Sequence, residues 1–246
     1  MAKALTSIGI EVKRMIVIED NVETIAEALR ESLKRKPNFI FTSGGLGPTY
    51  DDVTLEGVAK ALEKPLEVNA AAESMIEDRY KLAEKAGLLK IKDSEKHMTK
   101  MASLPAGASP LANPVGAAPG VLIEQGKTNV ISLPGVPAEM KAIFDYSIIP
   151  WIKPLLGSAF HAERTVLVTG VAESRLAPVI VDAMAKIPGT WMKSCVLGSG
   201  KSEICISTTA SSESEANHRV EEGRKIIVEK AKELGGIVNA IKEDSK

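Results

Sequence analysis

The sequence predicts an α/β fold of three layers around a mostly parallel sheet, followed by a smaller α+β domain. Three observations predict it. Strand and helix signals alternate over the first 150 residues, as they do when helices cover both faces of parallel strands. A glycine cluster follows an apolar run and precedes a helix, the arrangement of a ligand-binding turn at the carboxyl end of a strand. Beyond a stretch holding Pro150, Pro154 and Gly157, the pattern changes to β-α-β-β-α. This places one domain at residues 1–157 and another at 162–240.

The elements follow in order. Residues 2–8 read as the end of a helix closed by Gly9. In a doubly wound sheet such a helix normally follows a strand, so the chain reads as if it begins one strand late. Residues 12–18 (VKRMIVI) read as a strand. Asp20-Asn21 then caps a helix, with Glu23 placed for a capping box. Val22, Ile25, Leu29 and Leu33 form its apolar stripe. Residues 38–42 (NFIFT) are a short strand running into Gly44. Helices are expected at 52–63, stopped by Pro65, and at 70–86. The uncharged, Pro- and Gly-rich run 104–119 is too apolar for a disordered linker and reads as ordered loop and short strand beside a site. Residues 121–124 and 129–133 suggest a hairpin, and a helix begins at Ala138. The second domain reads as a strand at 165–169, a helix at 173–187, strands at 194–197 and 203–209, and a long helix at 213–234.

Composition narrows the function classes. Lys plus Arg number 31 against 32 Asp plus Glu, so the basic footprint of a general nucleic-acid binder is missing. Two cysteines are no disulfide framework, and Cys195 and Cys205 are expected as free core thiols. No apolar run reaches membrane-spanning length, and the start is too short and polar for a signal peptide. A cytoplasmic protein with no membrane or nucleic-acid partner is expected. His97, His161 and His218 share no metal-ligand spacing and are expected at the surface.

The strongest chemical signal is Thr42-Ser43-Gly44-Gly45-Leu46-Gly47-Pro48-Thr49-Tyr50-Asp51-Asp52-Val53-Thr54. Glycines let backbone N–H groups approach a phosphate, and the following helix adds its dipole. Adjacent Asp51 and Asp52 beside such a cradle suit a divalent cation, since Mg²⁺ takes few carboxylates and completes its shell with substrate oxygens. The run is neither a P-loop nor G-x-G-x-x-G. A second strand–turn–helix, Ser132-Leu133-Pro134-Gly135-Val136-Pro137-Ala138-Glu139-Met140, and the loop Asn113-Pro114-Val115-Gly116-Ala117-Ala118-Pro119-Gly120 are each ambiguous alone. Lys100 reads as a surface lysine before a phosphate contact, and Glu139 as a helix cap before a site residue.

Together, in this order and spacing and with Lys100-Met101-Ala102 and Leu104-Pro105 between them, these motifs resemble the N-terminal part of the CinA (competence/damage-inducible protein A) family. That family is a branch of the MoaB/MogA molybdopterin-binding fold. The segment from Gly170-Val171-Ala172-Glu173-Ser174 is similar to its small KH-like middle domain, and the amidohydrolase domain with its deamidase activity lies outside the resemblance. The resemblance implies a nucleotide or pterin site. Ser43, Gly44, Gly45, Gly47, Thr49, Thr54, Asn113, Gly116, Pro134 and Gly135 would hold the ligand, and Asp51 and Asp52 would hold Mg²⁺ or Co²⁺ and act in catalysis. It implies hydrolysis of the pyrophosphate of ADP-ribose-like nucleotides, with molybdopterin binding or adenylylation, or a non-catalytic assembly role, as alternatives. Leu46, where the molybdopterin enzymes have Thr, favours the first. The family's first strand, with its Gly-Asp-Glu signature, has no counterpart here. A homo-oligomer is implied as well.

Overall fold

The computed structural model describes residues 1–87, 95–156, 160–198 and 200–240. The expected boundary residue Gly157 and the expected turn residue Ser199 lie outside them. The elements begin α1 (Ala2–Ser7), α2 (Val22–Lys34), β1 (Phe39–Ser43), α3 (Thr54–Ala61), β2 (Leu66–Val68) and α4 (Ala70–Lys85). Then come α5 (Glu95–Ala102), β3 (Ser103–Pro105), β4 (Ser109–Leu111), β5 (Gly120–Gln125), β6 (Thr128–Leu133) and α6 (Pro137–Ile143). A π-helical turn, Phe144–Ile148, joins α6 to α7 (Ile149–Leu155). The remainder is β7 (Phe160–Thr169), α8 (Glu173–Lys186), β8 (Thr190–Gly198), β9 (Lys201–Ala210), α9 (Glu213–Glu233) and β10 (Ile237–Ala240).

The chain forms two compact units. One is Met15–Ile152; the other joins Met1–Arg14 to the chain from Lys153 onward. Met1–Arg14 thus groups with the second unit, not the first. The reason is local: Leu5 of α1 is buried, and Gly9 comes close to the Thr209 side chain on β9. α1 ends in a Schellman motif, with Gly9 N–H bonded to the Thr6 carbonyl and Ile10 N–H to that of Leu5.

The first unit has a four-stranded sheet in the order β1-β6-β5-β4. Only β1 and β6 run parallel; β6/β5 and β5/β4 are antiparallel. The sheet is therefore mixed rather than mostly parallel. The two-residue connection Gly126-Lys127 forces β5 and β6 into a hairpin, since a parallel pair needs a long crossover. Helices cover both faces. Ile40, Val121, Ile123 and Val130 join Ala26 and Leu29 of α2 and Leu55 and Val58 of α3 in one core. On the other face Phe39 meets Trp151 edge-on at 6.1 Å, and Phe41 meets Phe144 at 6.4 Å.

Residues 12–18 form no strand. Met15, Ile16, Val17 and Ile18 are exposed and belong to no ladder. β propensity does not make a strand without a hydrogen-bonding neighbour, and β1 is the edge of its sheet. β2, unforeseen in the sequence, pairs antiparallel with β3, which with β4 falls where loop and short strand are expected over residues 104–119.

The second unit is a four-stranded antiparallel sheet, β10-β7-β9-β8, with α8 and α9 packed on one face. The expected β-α-β-β-α order is present, extended by β10. Val166, Val168, Ile204 and Ile206 alternate into its core, where Leu176 and Ile180 of α8 and Val220 and Ile227 of α9 meet them. Among the described residues no helix is long and apolar enough to cross a membrane.

Candidate functional site

Because β1 and β6 are parallel neighbours, their carboxyl ends lie side by side, and each ends in a turn that opens a helix. The two turns touch. Gly44 N–H donates to the Leu133 carbonyl at 2.9 Å, and Ser43 Oγ lies 3.5 Å from the Pro134 carbonyl oxygen. A side chain at Gly135 would stand 3.2 Å from the Gly44 Cα, so the close approach of the two loops favours glycine there. The structure thus joins Ser43, Gly44, Pro134 and Gly135, which the sequence separates by some ninety positions.

The Gly44–Thr54 loop closes on itself. Gly45 has φ +66° and its carbonyl accepts the Thr54 N–H at 3.1 Å. Buried Thr54 packs its hydroxyl where any larger residue at 45 would put its Cβ. Asp52 faces back into the loop: its Oδ2 accepts the Thr49 N–H at 2.8 Å and the Thr49 hydroxyl at 2.6 Å. Asp51 is exposed and its Oδ1 lies 2.5 Å from the same hydroxyl, whose single proton serves one carboxylate at a time. Burial raises the pKa of Asp52. The Thr49 hydroxyl and N–H, the Gly47 N–H and the Lys100 charge outweigh it, so the carboxyl stays below its ordinary range and ionised at neutral pH.

Beside this loop lies a cavity of about 200 Å³, lined among others by Gly45, Gly47, Asp52, Glu56 and Lys100. Lys100, expected at the surface, reaches it from α5 and donates to the Thr49 carbonyl. His97, exposed as expected and also on α5, has its Nδ1 3.4 Å from the Pro48 carbonyl oxygen. Leu46 and Leu55 supply apolar wall. Sequence reasoning missed Glu56 altogether. The available signal was its place in the first turn of the helix that directly follows the Asp52 motif.

Asn113 and Gly116 form a separate cluster. Asn113 Nδ2 donates to the Ala118 carbonyl at 2.8 Å and to Glu139 Oε2 at 2.7 Å. Its Oδ1 accepts the N–H groups of Val115 and Gly116, at 3.1 and 2.8 Å. An amide side chain has two donors and accepts two bonds, so Asn113 has no capacity left for a phosphate. It shapes the loop. Arg79 clamps the same loop through the Gly116 and Val115 carbonyls. Glu139 is not the expected helix cap but the anchor of this loop, and a side chain at Gly116 would collide with its carboxylate. The next residue, Met140, brings its sulfur 3.6 Å from Ser43 Oγ, so the first turn of α6 touches both clusters.

Among the described residues no group of three or more His, Cys, Asp or Glu is placed to hold a metal ion alone. Asp52 would hold a cation only in company with a bound phosphate, since Mg²⁺ takes few carboxylates and completes its shell with substrate oxygens.

Residues 1–154 match the family described as "Probable molybdopterin binding domain". The chain belongs to this family. A protein from Caldivirga maquilingensis is 39% identical over 239 residues, 95% of this chain and 89% of its own. Another, from Aeropyrum pernix, is 40% identical over 253 residues, 100% of this chain and 89% of its own. A crystal structure of a CinA protein of unknown function from Thermoplasma acidophilum is 37% identical, with a TM-score of 0.52, and covers 60% of this chain and 82% of that one. The match to the molybdopterin binding domain family agrees with the α/β unit and its mixed sheet.

Proposed function

We propose that the first unit is a metal-dependent hydrolase of the pyrophosphate bond in ADP-ribose-like nucleotides. The observation that carries this reading is the cavity in which a glycine loop, an ionised Asp52 and Lys100 converge. Gly44 N–H serves the Leu133 carbonyl and Gly47 N–H the Asp52 carboxylate, so the Gly45 and Leu46 N–H groups of the turn would meet phosphate oxygens, and Lys100 would offset their charge. Asp52 would hold the divalent cation, Mg²⁺ or Co²⁺, which when bound polarises the phosphate and stabilises developing negative charge. Thr49 keeps the Asp52 carboxylate in place through two hydrogen bonds. Leu46 and Leu55 keep part of the wall dry, which strengthens each of these interactions.

A second reading is molybdopterin binding, favoured by the family description itself. Incubation of the purified chain with ADP-ribose, with and without Mg²⁺ or Co²⁺, separates the two. Metal-dependent release of AMP and ribose phosphate, abolished in Asp52→Asn, supports the hydrolase. No cleavage by a chain that melts cooperatively, together with saturable pterin binding, supports the alternative.

A further inference from the structure

The cavity holds a second carboxylate, and it is not the one adjacent to Asp52 in sequence. Glu56, in the first turn of α3, lines the space with Asp52 and Lys100. Asp51 does not line it; its carboxylate meets the Thr49 hydroxyl instead. A glutamate in a first helical turn is ordinarily a partner of the helix dipole. Here the residue stands on the cavity wall, is exposed, and accepts no hydrogen bond among the described residues. Asp52 differs: its Oδ2 is engaged twice by Thr49. Of the two carboxylates on the cavity, one is fixed by the loop and the other is free to hold a water.

We propose that Glu56 orients the attacking water and accepts its proton, while Asp51 only positions Thr49; this rests on the hydrolytic reading above. The step balances. The water oxygen bonds to one phosphorus of the pyrophosphate and one water proton passes to a Glu56 oxygen. The bridging P–O bond breaks with its electron pair on the departing phosphate monoester. Two monoesters leave, and Glu56 returns the proton to solvent.

The test compares wild type, Glu56→Gln, Glu56→Asp, Asp51→Asn and Asp52→Asn on ADP-ribose with Mg²⁺. Mn²⁺ affinity is read by electron paramagnetic resonance, and every protein is melted. A general base supplies about 10²–10⁴-fold, so Glu56→Gln should lower kcat by about 100-fold or more and erase the acidic limb of the kcat–pH profile. KM and Mn²⁺ affinity should stay within about threefold of wild type. Glu56→Asp should recover part of the rate, and Asp51→Asn should lose less than about tenfold. Should Glu56→Gln not melt cooperatively, the rate and acidic limb of Glu56→Asp decide instead. Wild-type turnover by Glu56→Gln would overturn the role and leave the hydrolytic reading standing. Loss of Mn²⁺ binding in Glu56→Gln would make the residue a metal ligand and equally overturn it. A folded wild type that cleaves nothing removes the reading and the proposal together.

Discussion

Replacing Asn113 by Ala tests whether this residue builds the site or binds the ligand. The residue is 6% exposed and its side chain makes four hydrogen bonds, one of them to the Glu139 carboxylate. A neutral hydrogen bond contributes about 0.5–1.5 kcal/mol net, and one to a charged group about 1.5–3 kcal/mol. Taking each at its lower end gives a loss of about 3 kcal/mol. The half-buried Glu139 also keeps a carboxylate without that partner. For domains of this size each kcal/mol moves Tm by about 2–4 °C, so the first unit should melt roughly 6–12 °C lower. Differential scanning calorimetry is the assay. Asn113→Asp keeps both acceptor roles but sets a second carboxylate against Glu139. At pH 7 it should be at least as damaging, the loss easing as the pH falls. A shift under about 2 °C for Asn113→Ala, with weakened nucleotide binding, would refute the reasoning and return Asn113 to the ligand.

Further outcomes follow from the same geometry. Gly45→Ala forces a Cβ into the left-handed region and within 2.2 Å of Thr54 Oγ1, and should cost about 2 kcal/mol or more of stability, read by urea denaturation. Ser132→Ala should stabilise the first unit by about 1 kcal/mol, because its buried hydroxyl has no hydrogen-bond partner among the described residues; a destabilised variant on the same denaturation curve would contradict this. In the second unit, burial holds the His161 imidazole below its ordinary pKa, only partly opposed by Glu163. The unfolded chain then binds the proton first, so stability present above about pH 6.5 falls as the pH drops toward the lower folded value. His161→Gln should flatten that slope in melts between pH 5 and 7.5. Exposed Cys195 should alkylate quickly, while Cys205, its thiol pushed up to about 12 by burial and by Glu163, should resist until unfolding, as mass spectrometry would show.

Local chemistry was legible in the sequence; pairing was not. The glycine run of the first turn, the Gly126-Lys127 hairpin and the Gly9 helix end are each written in residues next to one another, and each stands where expected. The β-branched residues at 12–18 announce a strand equally loudly, yet a strand exists only by its neighbour. The same limit hid β2, three residues long, which exists through the ladder it shares with β3. The parallel expectation failed because a two-residue hairpin outweighs the α/β rhythm around it. At the site, Ser43 and Asp52 could be named from their motif. Lys100 and Glu56 could not be ranked, because only folding brings α5 and the first turn of α3 to one cavity. Asn113 and Glu139 were visible as candidates, but their mutual hydrogen bond, which makes them a loop anchor, spans 26 positions.

The measurement that bears most directly on the hydrolase reading is phosphorus-31 NMR of ADP-ribose incubated with the purified chain and Mg²⁺ in water enriched in oxygen-18. The account predicts that the two pyrophosphate signals give way to two monoester signals, one carrying the isotope shift of a new P–¹⁸O bond. It predicts no change without the cation or with Asp52→Asn. An unaltered pyrophosphate spectrum from a chain that melts cooperatively, with Mg²⁺ present, would contradict it.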